Sequence, residues 1–127
     1  MIKVYVSGAY SGNNVLDVLK NIGRGEYYAA ELFQLGFAPF TPWHDKDFVI
    51  KNFYRDFTVE MFYNYSMEWL RVSDAVLVVP DMKGLIDWTE SKGTVAEIEE
   101  AQRLEIPVFF NIPALVKNTS EINSKKK

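Results

Sequence analysis

The stretch Ser91-Lys-Gly-Thr-Val-Ala-Glu97 puts two hydroxyls, a glycine and a carboxylate close together. Thr94 followed three positions later by Glu97 fits a capping box, in which the Glu reaches back to close the first turn of a helix. A carboxylate in a first turn is also favoured by the helix N-terminal partial charge and by N–H donors, which keep it ionised near neutral pH. Such a group either serves the helix or faces a ligand; a side chain that caps Thr94 cannot also project into a cleft. A second candidate is Ser7-Gly-Ala-Tyr-Ser-Gly12, whose small residues and hydroxyls suit backbone N–H contacts to a phosphate or a sugar. It has neither the dinucleotide fingerprint G-x-G-x-x-G nor the Walker lysine, and a tight strand-to-helix turn would read the same way. Asp74, Asp87, Glu90 and Ser91 each have an ordinary reading as a cap, a surface ion pair or a solvated group.

These groups need elements to hold them. Ile2–Gly8 is β-branched and aromatic and ends in small residues, as a buried strand entering a tight loop does. Arg24–Leu35 carries apolar residues at helical spacing, with Gly36 as its C-cap. Phe37–Phe40 reads as a short strand leading into the loop Thr41-Pro-Trp-His-Asp45. Between Asp47 and Val72, Phe53, Phe57, Met61, Tyr65 and Trp69 recur every four residues. That stripe predicts one face of a long helix packed on the core, or alternatively a wall over a site. Ala75–Val79 is continuously apolar, like a parallel strand covered on both faces. Gly93–Leu104 reads as a helix and Pro107–Phe110 as a strand. Residues 1–116 are expected to form one α/β domain, and the polar residues 117–127 a flexible tail.

Strand alternating with helix in this way predicts a doubly wound, mainly parallel sheet of about five strands, Rossmann-like or flavodoxin-like. Ligands of such sheets lie beyond the carboxyl ends of the strands at a topological switch point. The loops Ser7–Asn14, Thr41–Asp47 and Pro80–Gly93 and the segment after Phe110 meet that condition.

Composition narrows the function. The chain has 127 residues, 48% of them hydrophobic and 15% aromatic, which suits a single folded domain with a rich core. A net charge of −3 argues against a nucleic-acid polymer or an anionic membrane as partner. The terminal Lys125-Lys126-Lys127 reads as a solvated end. No cysteine and one histidine, His44, argue against a disulfide framework and a zinc site, so no metal is expected. No apolar run approaches the roughly 20 residues that span a bilayer, and no signal pattern precedes the first strand. A cytoplasmic protein is the expectation.

Taken in order, Val4-Tyr5-Val6-Ser7-Gly8, Ser73-Asp74-Ala75-Val76 and Asp87-Trp88-x-x-Ser91-x-Gly93-x-x-x-Glu97 resemble the nucleoside 2-deoxyribosyltransferase superfamily. That group includes the 2′-deoxynucleoside 5′-monophosphate N-glycosidases and small phage and bacterial relatives. The resemblance runs from Ile2 to about Phe110. It implies cleavage of an N-glycosidic bond, with Glu97 as the nucleophile at the anomeric carbon and a glycosyl-glutamate intermediate passed to a base or to water. Tyr5 is implied to orient Glu97, and Asp74 to lie near the sugar or leaving base as a candidate acid, with Asp87 and Glu90 as outsiders. Ser91 matches a phosphate-binding serine of the monophosphate hydrolases, where the classical transferases have an aspartate. Ser7 and Gly8 are implied around the 5′ end, with Gly93 permitting close approach. Tyr10, Trp43 and Trp88 are rings that can stack on a base. The loop "GAYSGNN" lacks the arginine of the hydrolases, a place Arg24 of the following helix could fill. A small nucleoside or nucleotide substrate, no cofactor and a homo-oligomer, dimer or higher, complete the expectation. Two alternatives stay open: a nucleotide- or nucleotide-sugar-binding protein without catalysis, and a flavodoxin-like electron carrier, the latter opposed by the missing flavin-phosphate loop.

Overall fold

A computed structural model of the chain describes residues 1–80 and 91–126. Four parallel strands form one sheet in the order β2-β1-β3-β4: β1 (Lys3–Ser7), β2 (Ala38–Phe40), β3 (Ala75–Val78) and β4 (Val108–Phe109). Among the described residues this is one strand fewer than the sequence suggested. β1 pairs with β2 through Tyr5 opposite Phe40, and with β3 through Tyr5 opposite Val76. The chain leaves β1 toward β2 and later returns to the other side of β1, so the switch point lies between the carboxyl ends of β1 and β3.

Strand alternation sets the two layers. Val4, Val6, Ala75 and Leu77 pack on one face with Ile22, Ala29 and Leu32 of α1 (Val15–Gln34). Tyr5, Val76 and Val78 pack on the other with Met67 and Leu70 of α3 (Val59–Arg71) and Ile98 and Ala101 of α4 (Lys92–Arg103). Because period 2 carries Ser7 to the same side as Tyr5, β1 presents two hydroxyls toward α4.

The helix ends are set by local chemistry. α1 starts at Val15, nine residues before the apolar spacing predicted, and is capped by Asn14, whose side chain accepts from the Asp17 N–H at 3.0 Å. It ends as a Schellman motif: Phe37 N–H donates to the Leu32 carbonyl, Gly36 N–H to that of Phe33, and Gly36 takes φ +92°. The four-residue aromatic stripe does not form one helix. A short 3-10 turn (Pro42–Asp45) and α2 (Lys46–Ile50) come first, and Thr58 caps a separate α3 by accepting from the Met61 N–H. Phe53 is left exposed, and the buried face of α3 is Met67 and Leu70. The polar end is also folded: α5 (Ile112–Lys117) and α6 (Thr119–Lys125) dock Leu115 and Ile122 into the first core layer. Two apolar residues at the right spacing outweigh the polar composition that predicted fraying. No helix of the described residues is long and apolar enough to cross a membrane.

Two glycines of α1 separate two physical roles. A Cβ on Gly25 would stand 2.4 Å from Cζ3 of Trp43, which is 1% exposed, so the glycine is the slot in which the indole sits. A Cβ on Gly23 would meet nothing within 4 Å. Gly25→Ala is therefore expected to destabilise the fold by about 1–3 kcal/mol through overpacking. Gly23→Ala should stabilise it by roughly 0.5–1 kcal/mol through helix propensity. Urea denaturation of both variants checks the pair; shifts of the same sign and size would contradict this assignment of the Trp43 slot.

Candidate active site

α4 opens on Ser91, whose hydroxyl accepts from the Thr94 N–H at 3.3 Å and from the Thr94 hydroxyl at 2.8 Å. The cap is thus Ser91 with Thr94 and not Thr94 with Glu97. A cap three positions earlier explains the difference: Glu97 falls in the second turn, beyond the free N–H donors that a first-turn carboxylate would use. Thr94, Glu97, Ile98 and Ala101 make the buried face of α4, at the i, i+3, i+4, i+7 spacing that normally carries apolar residues. Glu97 occupies a core position, 8% exposed, and borders a cleft.

Its partners come from β1. The Tyr5 hydroxyl donates to Glu97 Oε2, and Ser7 Oγ donates to Oε1 at 2.8 Å. Both donors are fully buried, so the carboxylate is gripped from the sheet side while its remaining surface faces the cleft. Ser66 of α3, which also borders the cleft, hydrogen-bonds the Tyr5 hydroxyl in turn. The result is a hydroxyl chain, Ser66 to Tyr5 to Glu97, with Ser7 closing the other oxygen.

The electrostatics follow from this burial. Desolvation pushes the Glu97 carboxyl up to about 7, against the hydrogen bonds from Tyr5 and Ser7 that favour its ionised form. The expected ionisation by helix N–H donors is replaced by a carboxyl poised near neutrality. Tyr5 is held far above the usual tyrosine range, first by burial and then by the Glu97 charge, so it stays a proton donor to the hydrogen bond.

The cleft encloses about 1040 Å³ at the carboxyl ends of β1 and β3. Of the residues expected to bind a substrate, Gly8, Tyr10, Ser91 and Gly93 border it. Gly8 packs closely there: a Cβ would lie 3.1 Å from Val79 Cβ and 3.2 Å from the Trp43 ring. Trp43 borders the cleft but is 1% exposed: the ring is buried against Gly8 and Gly25, and its N–H donates to the Ala9 carbonyl at 3.1 Å. It anchors the loop after β1, and its burial removes the face that stacking on a base requires. Lys20, Asn21 and Arg24 of α1 form a polar wall, with Asn21 Nδ2 donating to the Tyr10 and Ser11 carbonyls at 3.2 Å.

Asp74 is at the other end of the sheet. It precedes β3, accepts from the Lys3 N–H at 2.8 Å and pairs with Lys126 at 3.2 Å. Lys3 and Asp74 both stand at the amino ends of their strands, whereas Ser7 and Glu97 meet at the carboxyl end, so the acid role expected of Asp74 has no geometric support. Asp87, Trp88 and Glu90 lie outside the described residues. Ser66 and Asp45 are cleft residues that sequence reasoning missed. Ser66 was hidden inside an aromatic stripe. Asp45, 5% exposed and bordering the cleft, lay in a loop already marked as ligand-facing, but no spacing singled it out.

No family model and no curated protein matches the chain. A solved structure does: a 2-deoxyribosyltransferase from Bacillus psychrosaccharolyticus, described as a biocatalyst for the synthesis of antiviral and antitumoral nucleosides. The TM-score is 0.50 at 19% identity, covering 87% of this chain and 75% of that one. The likeness is one of fold, and it agrees with the fold of the superfamily that the sequence resembles.

The raised Glu97 carboxyl has a consequence for folding. Below pH 4.5 the group is protonated folded and unfolded, and it adds no penalty. As pH rises, the unfolded chain ionises near 4.5 but the folded chain only near 7, so stability is lost across that window. Relative to Glu97→Gln, the native protein is expected to lose up to about 3 kcal/mol between pH 4.5 and pH 7.5. Denaturant titrations of both proteins across pH measure this; parallel stability curves would contradict it.

Proposed function

We propose that the protein cleaves the N-glycosidic bond of a deoxynucleoside or nucleoside 5′-monophosphate through a covalent glycosyl-Glu97 intermediate. The observation that carries the reading is one buried carboxylate, gripped by two buried hydroxyls, facing a nucleoside-sized cleft at the switch point of the sheet. A glycosyl nucleophile must be ionised yet poorly solvated, and oriented so that one oxygen meets the anomeric carbon in line with the departing base. Tyr5 and Ser7 provide the orientation, and burial removes the water. As C1′ develops positive charge, a carboxylate in a water-poor site stabilises it more than one in bulk solvent would. The C1′–N bond breaks with its electron pair leaving on the base, and the new C1′–O bond joins the sugar to Glu97. A second base returns the group as a transferred nucleoside, and water returns it as free sugar.

The α1 wall and the α4 N-terminus favour a phosphorylated substrate. Lys20, Arg24 and Lys92 border the cleft, and among the described residues none of the three forms an ion pair. Arg24 donates to Asn21, which holds the loop after β1, so its guanidinium stands beside that loop as a monophosphate would require. A binding protein without catalysis would use the same cations; it would have no need of a carboxyl poised near neutrality beside the sugar.

Purified protein is to be incubated with deoxynucleosides and their 5′-monophosphates, with and without a free base as acceptor, and followed by chromatography. Free or exchanged base is expected, with the rate rising through about pH 7 as Glu97 ionises. Glu97→Ala should lower release at least about a thousandfold with the circular dichroism unchanged. Tyr5→Phe should slow it by about 10–100-fold and move the acid limb to higher pH, since the lost hydrogen bond favours ionised Glu97. A tight complex with no base released would support the binding protein instead, and full turnover in Glu97→Ala would remove this carboxylate from the mechanism.

A further inference from the structure

Departure of a neutral base needs a proton at its ring nitrogen, and the cleft contains a second shielded carboxyl. Asp45 ends the 3-10 turn after β2, is 5% exposed, and borders the same cleft as Glu97. The Tyr10 hydroxyl, from the loop after β1, hydrogen-bonds it. Among the described residues Asp45 forms no ion pair; its neighbour Lys46 turns to Glu26 at 3.4 Å. Its charge reaches the hydroxyl of Tyr5, the residue that grips Glu97, so the two carboxyls share one electrostatic field.

Resting on the glycosidic reading above, we infer that Asp45 is the acid that protonates the leaving base, with Tyr10 holding its carboxyl toward the cleft. Two carboxyls in one cleft, one gripped by two hydroxyls from the strand and one by a single tyrosine, divide the work as an acid and a nucleophile do. In the first step Glu97 Oε bonds to C1′, the C1′–N pair moves onto the base, and the Asp45 proton goes to that base nitrogen. In hydrolysis the Asp45 carboxylate then takes a proton from the water that attacks C1′, which frees Glu97 and restores the acid. Burial raises the Asp45 carboxyl above the usual aspartate range. The Tyr10 hydrogen bond and the charges of His44 and Lys46 oppose that rise. Asp47 acts in the same field through Tyr10, and Lys20 and Arg24 of α1 border the same cleft.

The test compares two purine substrates of the same sugar, one ordinary and one methylated at N7. The methylated base is already cationic and leaves as a neutral molecule without an added proton. Asp45→Asn is expected to slow release from the ordinary substrate at least about a hundredfold, and from the methylated one by less than about threefold. Equal losses on both, or no loss on either, would overturn the assignment. Should Asp45→Asn not fold, Tyr10→Phe removes a bond that favours ionised Asp45. The alkaline limb on the ordinary substrate should then move to higher pH, and an unmoved limb would contradict the role. Native protein that releases base from neither substrate would remove the glycosidic reading, and this assignment with it.

Discussion

The grip of Tyr5 and Ser7 on Glu97 is the contact on which the rest of the structure depends. It ties the central strand to the second turn of α4, through a group that burial alone would expel. A carboxylate in a core position is tolerable only when its oxygens are satisfied, and here both are, by hydroxyls that strand alternation brings to one face. The cost left over appears as a carboxyl poised near neutral pH. Stability is given up at a carboxyl that borders the cleft.

Everything around the grip serves to keep it in register. Tyr5 sits in the middle of the sheet, paired to β2 on one side and β3 on the other, so its hydroxyl has little freedom. Trp43 fills the gap between Gly25 of α1 and Gly8 of the loop, and its N–H fixes Ala9. Asn21 holds the next two carbonyls of that loop. The loop that would carry the sugar and its 5′ end is thus built from packing rather than from a glycine-rich cradle. That explains why it bears no nucleotide-binding fingerprint.

The legibility of these features in the sequence varied with the range of the interaction that decides them. β1 and β3 were readable because a covered parallel strand needs an unbroken apolar run, and α4 because hydroxyl residues precede a run of good helix formers. Tyr5, Ser7 and Glu97 could be named as an ordered set, but the type of cap could not. Whether Ser91 or Thr94 caps α4 depends on a three-residue shift that propensity does not resolve, and that shift moves Glu97 from the helix terminus to the core. Asp74 stood out by its place in the ordered pattern, yet a backbone N–H and Lys126 claim it at the far end of the sheet. Asp45 and Ser66 matter only through what the fold brings beside them, so no local spacing could mark them.

The most direct test of the account is to trap the sugar on the protein. A 2-deoxy-2-fluoro-arabinosyl nucleoside carries a fluorine that withdraws electrons from the oxocarbenium-like centre and slows release of the glycosyl group from its carboxylate. Peptide mass mapping after incubation should show a fluorinated pentosyl group on Glu97, with free base released in equal amount. Base released in many turnovers with Glu97 unmodified, or the label on another side chain, would contradict the central claim.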